Sequence, residues 1–142
     1  TYADALAYLG LIKLIGFRQQ GNKAYDKDKY NNDLNLGLEL ANKALMYDSK
    51  HQLGLALNIS IPFSLLGDRT SFDFSESAFI DDIIFTYRNV AVTVKKMAQE
   101  YPNSPYSKTM VGLYYWARSF APAIISSEDD LQKATKLIGQ QN

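Results

Sequence analysis

The 142-residue sequence has no cysteine and only one histidine, His51. The absence of cysteine excludes disulfides, thiolate metal ligands and cysteine nucleophiles. A single histidine also excludes a His-based catalytic pair and a multi-histidine metal site within one chain. His51 stands at the start of a predicted helix, so we expect it to cap that helix or to lie on the surface.

An excess of charge of either sign is absent as well. Lys and Arg number 15 together, as do Asp and Glu, so the formal net charge at pH 7 is zero. A neutral chain exerts no broad electrostatic attraction on nucleic acid or on an anionic membrane. We therefore expect no nucleic-acid partner.

Long hydrophobic runs are missing too. The longest apolar stretches, 5–17 and 53–66, are interrupted by Lys13, Asn58 and Pro62 and are shorter than a membrane span. The sequence therefore predicts no transmembrane segment. It begins at Thr1 with neither a Met nor a basic, cleavable leader, which indicates a mature fragment or a trimmed chain.

Large apolar side chains are abundant. The composition is 46% hydrophobic and includes ten Tyr and seven Phe, which is far too apolar for a disordered chain. The length is typical of one domain with one continuous core. We predict a single helical domain over residues 1–142.

Apolar residues recur at helical spacing in six segments. Polar stretches at 21–32 and 68–75 are predicted loops, Ser75 is a predicted helix cap, and Pro62 is expected to kink or end its helix. The predicted helices cover residues 2–19, 34–47, 53–66, 76–100, 106–120 and 128–140. Their connections alternate long and short, which indicates three helical hairpins joined by tight turns, as in a stacked helical repeat.

Three stretches resemble the tetratricopeptide family. The first predicted helix has Leu6-x-x-Leu9-Gly10, and the fifth has Val111-Gly112-x-x-Tyr115 directly after a Tyr-Pro-Asn-Ser turn. The second has Gly37, Ala41 and Ala44, followed by Leu-Met-Tyr-Asp-Ser, which is similar to the family's helix ending. The small residues allow neighbouring helices to approach closely, so we expect Gly10 and Gly112 at helix crossings.

The resemblance implies an all-α, right-handed stack of three hairpins, with long loops inside the hairpins. An unrelated helical bundle is the alternative fold. In the family, the first helix of each hairpin lines a concave groove that holds a peptide or a partner helix. The groove residues implied here are Leu11, Leu14 and neighbouring Ile15 in the first helix, and Tyr106, Leu113 and Trp116 in the fifth.

Motifs for chemistry are weak. The stretch from Asp26 to Asn32 has oxygen ligands but lacks the Gly and Glu of a calcium loop, and no glycine-rich phosphate motif is present. We therefore expect no metal, no cofactor and no enzyme activity.

Two classes of function stay open. The first is a scaffold that binds a protein or peptide partner through an apolar, aromatic groove; the turn before Tyr106 is similar to those of envelope tetratricopeptide lipoproteins, which suggests a bacterial envelope or periplasmic location. The second is a carrier or sensor of a small apolar ligand in a cavity between the helices. The aromatic cluster at Tyr114, Tyr115, Trp116 and Phe120 is either ordinary core or part of the binding surface.

Overall fold

The computed structural model describes residues 1–19, 27–67 and 77–119. These ranges contain five α-helices and no strand, which confirms the predicted all-α class. The helices are α1 (Tyr2–Gln19), α2 (Lys27–Tyr47), α3 (Gln52–Gly67), α4 (Ser77–Glu100) and α5 (Pro105–Ser119). The predicted sixth helix, Phe120 and the predicted cap Ser75 lie outside the described residues.

The chain divides into two compact units, Thr1–Arg69 and Thr70–Asn142. The first unit holds α1, α2 and α3, which all contact one another, and the second holds α4 and α5, which pack together. Two helices of one predicted hairpin, α3 and α4, therefore belong to different units. The single domain stays a prediction.

The core of the first unit takes residues from all three helices. Leu14 of α1 packs with Leu34 and Ala41 of α2 and with Leu57 and Ile61 of α3, and all five side chains are buried. A second cluster combines Leu6, Ala7 and Ala44. Because each helix contributes to a shared core, the buried apolar side chains of α1, α2 and α3 find partners within the first unit.

Two glycines lie where these helices approach one another closely. A Cβ atom on Gly10 would lie 3.0 Å from the carbonyl oxygen of Gly37 and 3.2 Å from Leu57 Cδ1. A Cβ atom on Gly37 would lie 3.2 Å from Lys13 Cβ and 3.3 Å from Ile61 Cδ1. The expectation that Gly10 lies at a helix crossing is confirmed, and the crossing joins all three helices. Gly112 is buried in α5.

In the second unit, the tight turn between α4 and α5 is held by serine side chains. Ser104 Oγ accepts a hydrogen bond from the Ser107 backbone N–H at 3.4 Å, and Pro105 occupies the first helical position. The buried Ser107 hydroxyl donates to the Met97 carbonyl oxygen at 3.2 Å. The N–H and the hydroxyl of Ser107 are thus both satisfied inside the helix pair.

Two predicted helix features differ from the structure. Residues 27–33 belong to α2, although their polar sequence predicted a loop; the ion pair between Lys13 and Asp33, at 3.7 Å, links this first part of α2 to α1. Pro62 does not end α3, which continues to Gly67. A proline inside a helix costs about 3 kcal/mol, and burial of Ile59 and Ile61 beside it offsets that cost.

Candidate functional site

The two groove residues predicted in α1 face inward. Leu14 is only 5% exposed and belongs to the core cluster with Leu57, and Leu11 is half-buried against the same cluster. The prediction that these side chains line a groove is therefore wrong for Leu14, because α2 and α3 cover it. Neighbouring Ile15 is exposed, as expected.

The three predicted residues of α5 lie together on the helix surface. Tyr106, Leu113 and Trp116 are 46%, 44% and 49% exposed, respectively. Their spacing places them within about 80° of one another around the helix axis and along about 15 Å of its length. They form one apolar and aromatic stripe, which we call the α5 stripe.

The opposite side of α5 explains why the stripe faces outward. Ser107, Met110, Val111 and Tyr114 are buried, and they recur at the spacing of one helical face. Because this buried face packs against α4, the α5 stripe on the other side of the helix is exposed to solvent. Partial burial raises the pKa of the Tyr106 phenol.

The aromatic cluster that the sequence singled out is divided between core and surface. The Tyr114 ring is buried and lies 6.0 Å from the Tyr87 ring of α4, centroid to centroid. Tyr115 meets Tyr114 edge to face at 5.1 Å, and Arg118 Nη1 donates to the Tyr114 hydroxyl at 3.3 Å. Tyr114 is therefore core, whereas Trp116 is half-exposed.

A second apolar surface lies on α1, and the sequence reasoning missed most of it. Tyr8 and Ile12 are 60% and 61% exposed, and Leu9 and Ile15 are also exposed. The available signal was that apolar residues occur on every side of α1, so that the helix has more apolar surface than one core-facing side needs. We call residues Ala5, Tyr8, Leu9, Ile12, Ile15 and Gly16 the α1 face.

His51 connects the start of α3 with the start of α1. Its Nδ1 accepts a hydrogen bond at 3.2 Å from the backbone N–H of Gly54, in the first turn of α3, which confirms the predicted capping role. Its Nε2 contacts Asp4 of α1. Both ring nitrogens are thus engaged within the chain.

Over the residues that the structure covers, no group of three or more His, Cys, Asp or Glu side chains could hold a metal ion. None of the five helices combines the length and hydrophobicity of a membrane span. No protein-family model, no curated protein and no solved structure matches the chain. The resemblance to tetratricopeptide proteins therefore depends on the sequence motifs alone.

Proposed function

We propose that this chain is a non-catalytic interaction scaffold that binds a partner peptide or helix through the α5 stripe. The observation that supports the proposal most directly is the outward position of Tyr106, Leu113 and Trp116 on one side of a helix whose other side is packed. Exposed apolar side chains are normal singly, but a contiguous set with Trp and Tyr is typical of a binding surface.

The dimensions of the stripe favour a helical partner. Anchors spread over about 15 Å match roughly three turns of an amphipathic helix, whose apolar residues recur every three or four positions. Trp and Tyr supply large, rigid contact areas, so we expect Trp116 to contribute most of the affinity. Because the chain has no net charge and the stripe is apolar, nucleic acid is an unsuitable partner.

We also propose the tetratricopeptide-like architecture as the framework of this surface, as a right-handed stack of hairpins. The crossing of α1, α2 and α3 at Gly10 and Gly37 supports it, because small residues at such crossings are what the resemblance requires. A right-handed stack would make α5 the first helix of a hairpin, the position that lines the groove in that family.

The test uses Trp116 as its own reporter, since it is the only tryptophan of the chain. Amphipathic helical peptides are selected from a displayed library against the wild-type chain. The selected peptides should shift the Trp116 emission to shorter wavelength, because binding removes the indole from water. Binding should depend only weakly on salt, because few ion pairs form.

Variants then locate the binding surface. Trp116→Ala should weaken the binding of the selected peptides by about 2 kcal/mol or more, which raises their dissociation constants roughly 30-fold. The free energy of unfolding should change little. Phe85→Ala is the matched control, since it removes an exposed aromatic side chain from α4. A loss of roughly 3–5 kcal/mol of stability in Trp116→Ala would instead identify the indole as core. One-to-one binding of a small apolar dye, unaffected by Trp116→Ala, would favour the carrier function.

A further inference from the structure

The α1 face carries no charged side chain. Its six residues are either apolar or glycine, apart from the hydroxyl of Tyr8, and the face lies opposite the side that packs on α2 and α3. A Cβ atom on Gly16 would meet nothing within 4 Å, so another backbone can approach there. The face runs for about 16 Å along the helix.

The charged residues beside the α1 face already have partners within the first unit. Asp4 contacts His51 Nε2 at 2.6 Å on one flank, and Lys13 contacts Asp33 at 3.7 Å on the other. Covering the face therefore leaves Asp4 with its hydrogen-bond partner and Lys13 with its counter-ion, so the usual penalty for burying an unpaired charge does not arise. The occupant needs to be apolar, uncharged and elongated.

We propose that the occupant is the α1 face of a second copy of this chain, related by a two-fold axis. The chain itself supplies a surface of the required chemistry, and its zero net charge produces no overall repulsion between copies. An antiparallel pairing centred between Tyr8 and Leu9 places Ala5 opposite Ile12 of the partner subunit. A small side chain then meets a large one on each side of the axis, which makes the face complementary to itself.

The available area indicates a weak dimer. The apolar surface of the α1 face continues onto the end of α2. There, the rings of Tyr2 and Tyr47 meet edge to face with their centroids 4.7 Å apart, and both rings are exposed. From the burial typical of aromatic and aliphatic side chains, each copy would contribute roughly 500 Å². The two copies together would bury roughly 1,000 Å², which reaches only the lower end of the areas that specific interfaces bury. We therefore expect a dissociation constant of roughly micromolar or weaker. This inference is independent of the α5 stripe.

Sedimentation equilibrium over a wide concentration range tests the proposal. The wild-type chain should show a reversible monomer–dimer equilibrium, and Ile12→Asp should raise its dissociation constant at least tenfold, because the pairing would bury two unpaired carboxylates. Val92→Asp is the matched control, since it places the same charge at an exposed apolar position of α4, and it should leave the equilibrium unchanged. Circular dichroism checks that both variants keep their helices.

Disulfide trapping supplies a second measurement that does not depend on a destabilising variant. Because the chain lacks cysteine, Leu9→Cys introduces the only thiol, close to the proposed axis, and Val92→Cys is its control. With oxidised glutathione, Leu9→Cys should form a disulfide-linked dimer many times faster than the control. Equal rates would overturn the proposal, as would a wild-type chain that stays monomeric up to about 1 mM. A monomer that binds neutral phosphatidylcholine vesicles through Ile12 would overturn it in favour of a lipid surface.

Discussion

His51 Nε2 lies 2.6 Å from Asp4 Oδ1, across 47 residues of sequence, and joins the start of α3 to the start of α1. Nδ1 of the same ring accepts a hydrogen bond from the Gly54 N–H, so the ring proton is on Nε2. Nε2 therefore donates a hydrogen bond to the Asp4 carboxylate. One side chain thus caps a helix and connects two helices of the first unit.

Removing this side chain should destabilise the first unit. His51→Ala should lower the free energy of unfolding by about 1 kcal/mol through loss of the cap alone. His51→Asn keeps a capping acceptor and should recover most of that loss. Urea denaturation of the three proteins measures the difference, and equal losses in both variants would show that the cap contributes nothing.

The stability of the chain should depend on pH through Asp4. The hydrogen bond from His51, followed by contacts with the chain's terminal ammonium and the Thr1 hydroxyl, holds the pKa of the Asp4 carboxyl well below its usual range. A depressed folded-state pKa stabilises the fold above the ordinary carboxyl pKa of about 3.9, and this contribution is lost as pH falls below that value. Asp4→Asn should therefore be less stable than wild type near pH 6, with the difference shrinking toward pH ~2. A difference that is constant across this range would contradict the argument, and Glu39→Gln, in α2, serves as the control.

The two glycines of α1 should respond in opposite directions to the same substitution. Gly10→Ala should destabilise the chain by about 1–3 kcal/mol, because the new methyl group would press on the Gly37 carbonyl oxygen, which belongs to backbone and cannot rotate away. Gly16→Ala meets open space and should stabilise the helix by about 0.5–1 kcal/mol. Thermal melts compare the two, and a stabilising Gly10→Ala would show that the crossing is looser than described.

Alkaline unfolding should depend on Tyr87. Burial raises the pKa of its phenol to about 12, with the Tyr114 phenol adding to the shift. A raised folded-state pKa means that the contribution to stability is complete below the ordinary value of about 10 and is lost as pH rises through 10 toward 12. Tyr87→Phe should move the alkaline unfolding midpoint to higher pH, whereas Tyr47→Phe, at an exposed ring, should not. Identical midpoints for both variants and wild type would exclude this role.

Local sequence patterns were sufficient to predict much of the fold. The helical spacing of apolar residues predicts the five described helices, because each must bury one stripe, and the serine and proline of the α4–α5 turn mark a helix start. The place of Gly10 at a crossing and the capping role of His51 also followed from residue type and position. The family resemblance pointed to Tyr106, Leu113 and Trp116 as groove residues; all three are exposed, and their part in binding stays a prediction.

Other features were decided only by tertiary contacts. Apolar residues occur on all sides of α1, so periodicity could not tell that Leu14 is core while Ile12 is exposed. That choice is made by Gly10, where α2 and α3 can approach closest, and it turns the opposite face of α1 to solvent. The helical first turns of α2 were not predicted from their polar sequence. The continuation of α3 past Pro62 depends on tertiary packing, since burial of Ile59 and Ile61 offsets the local preference against a helix there.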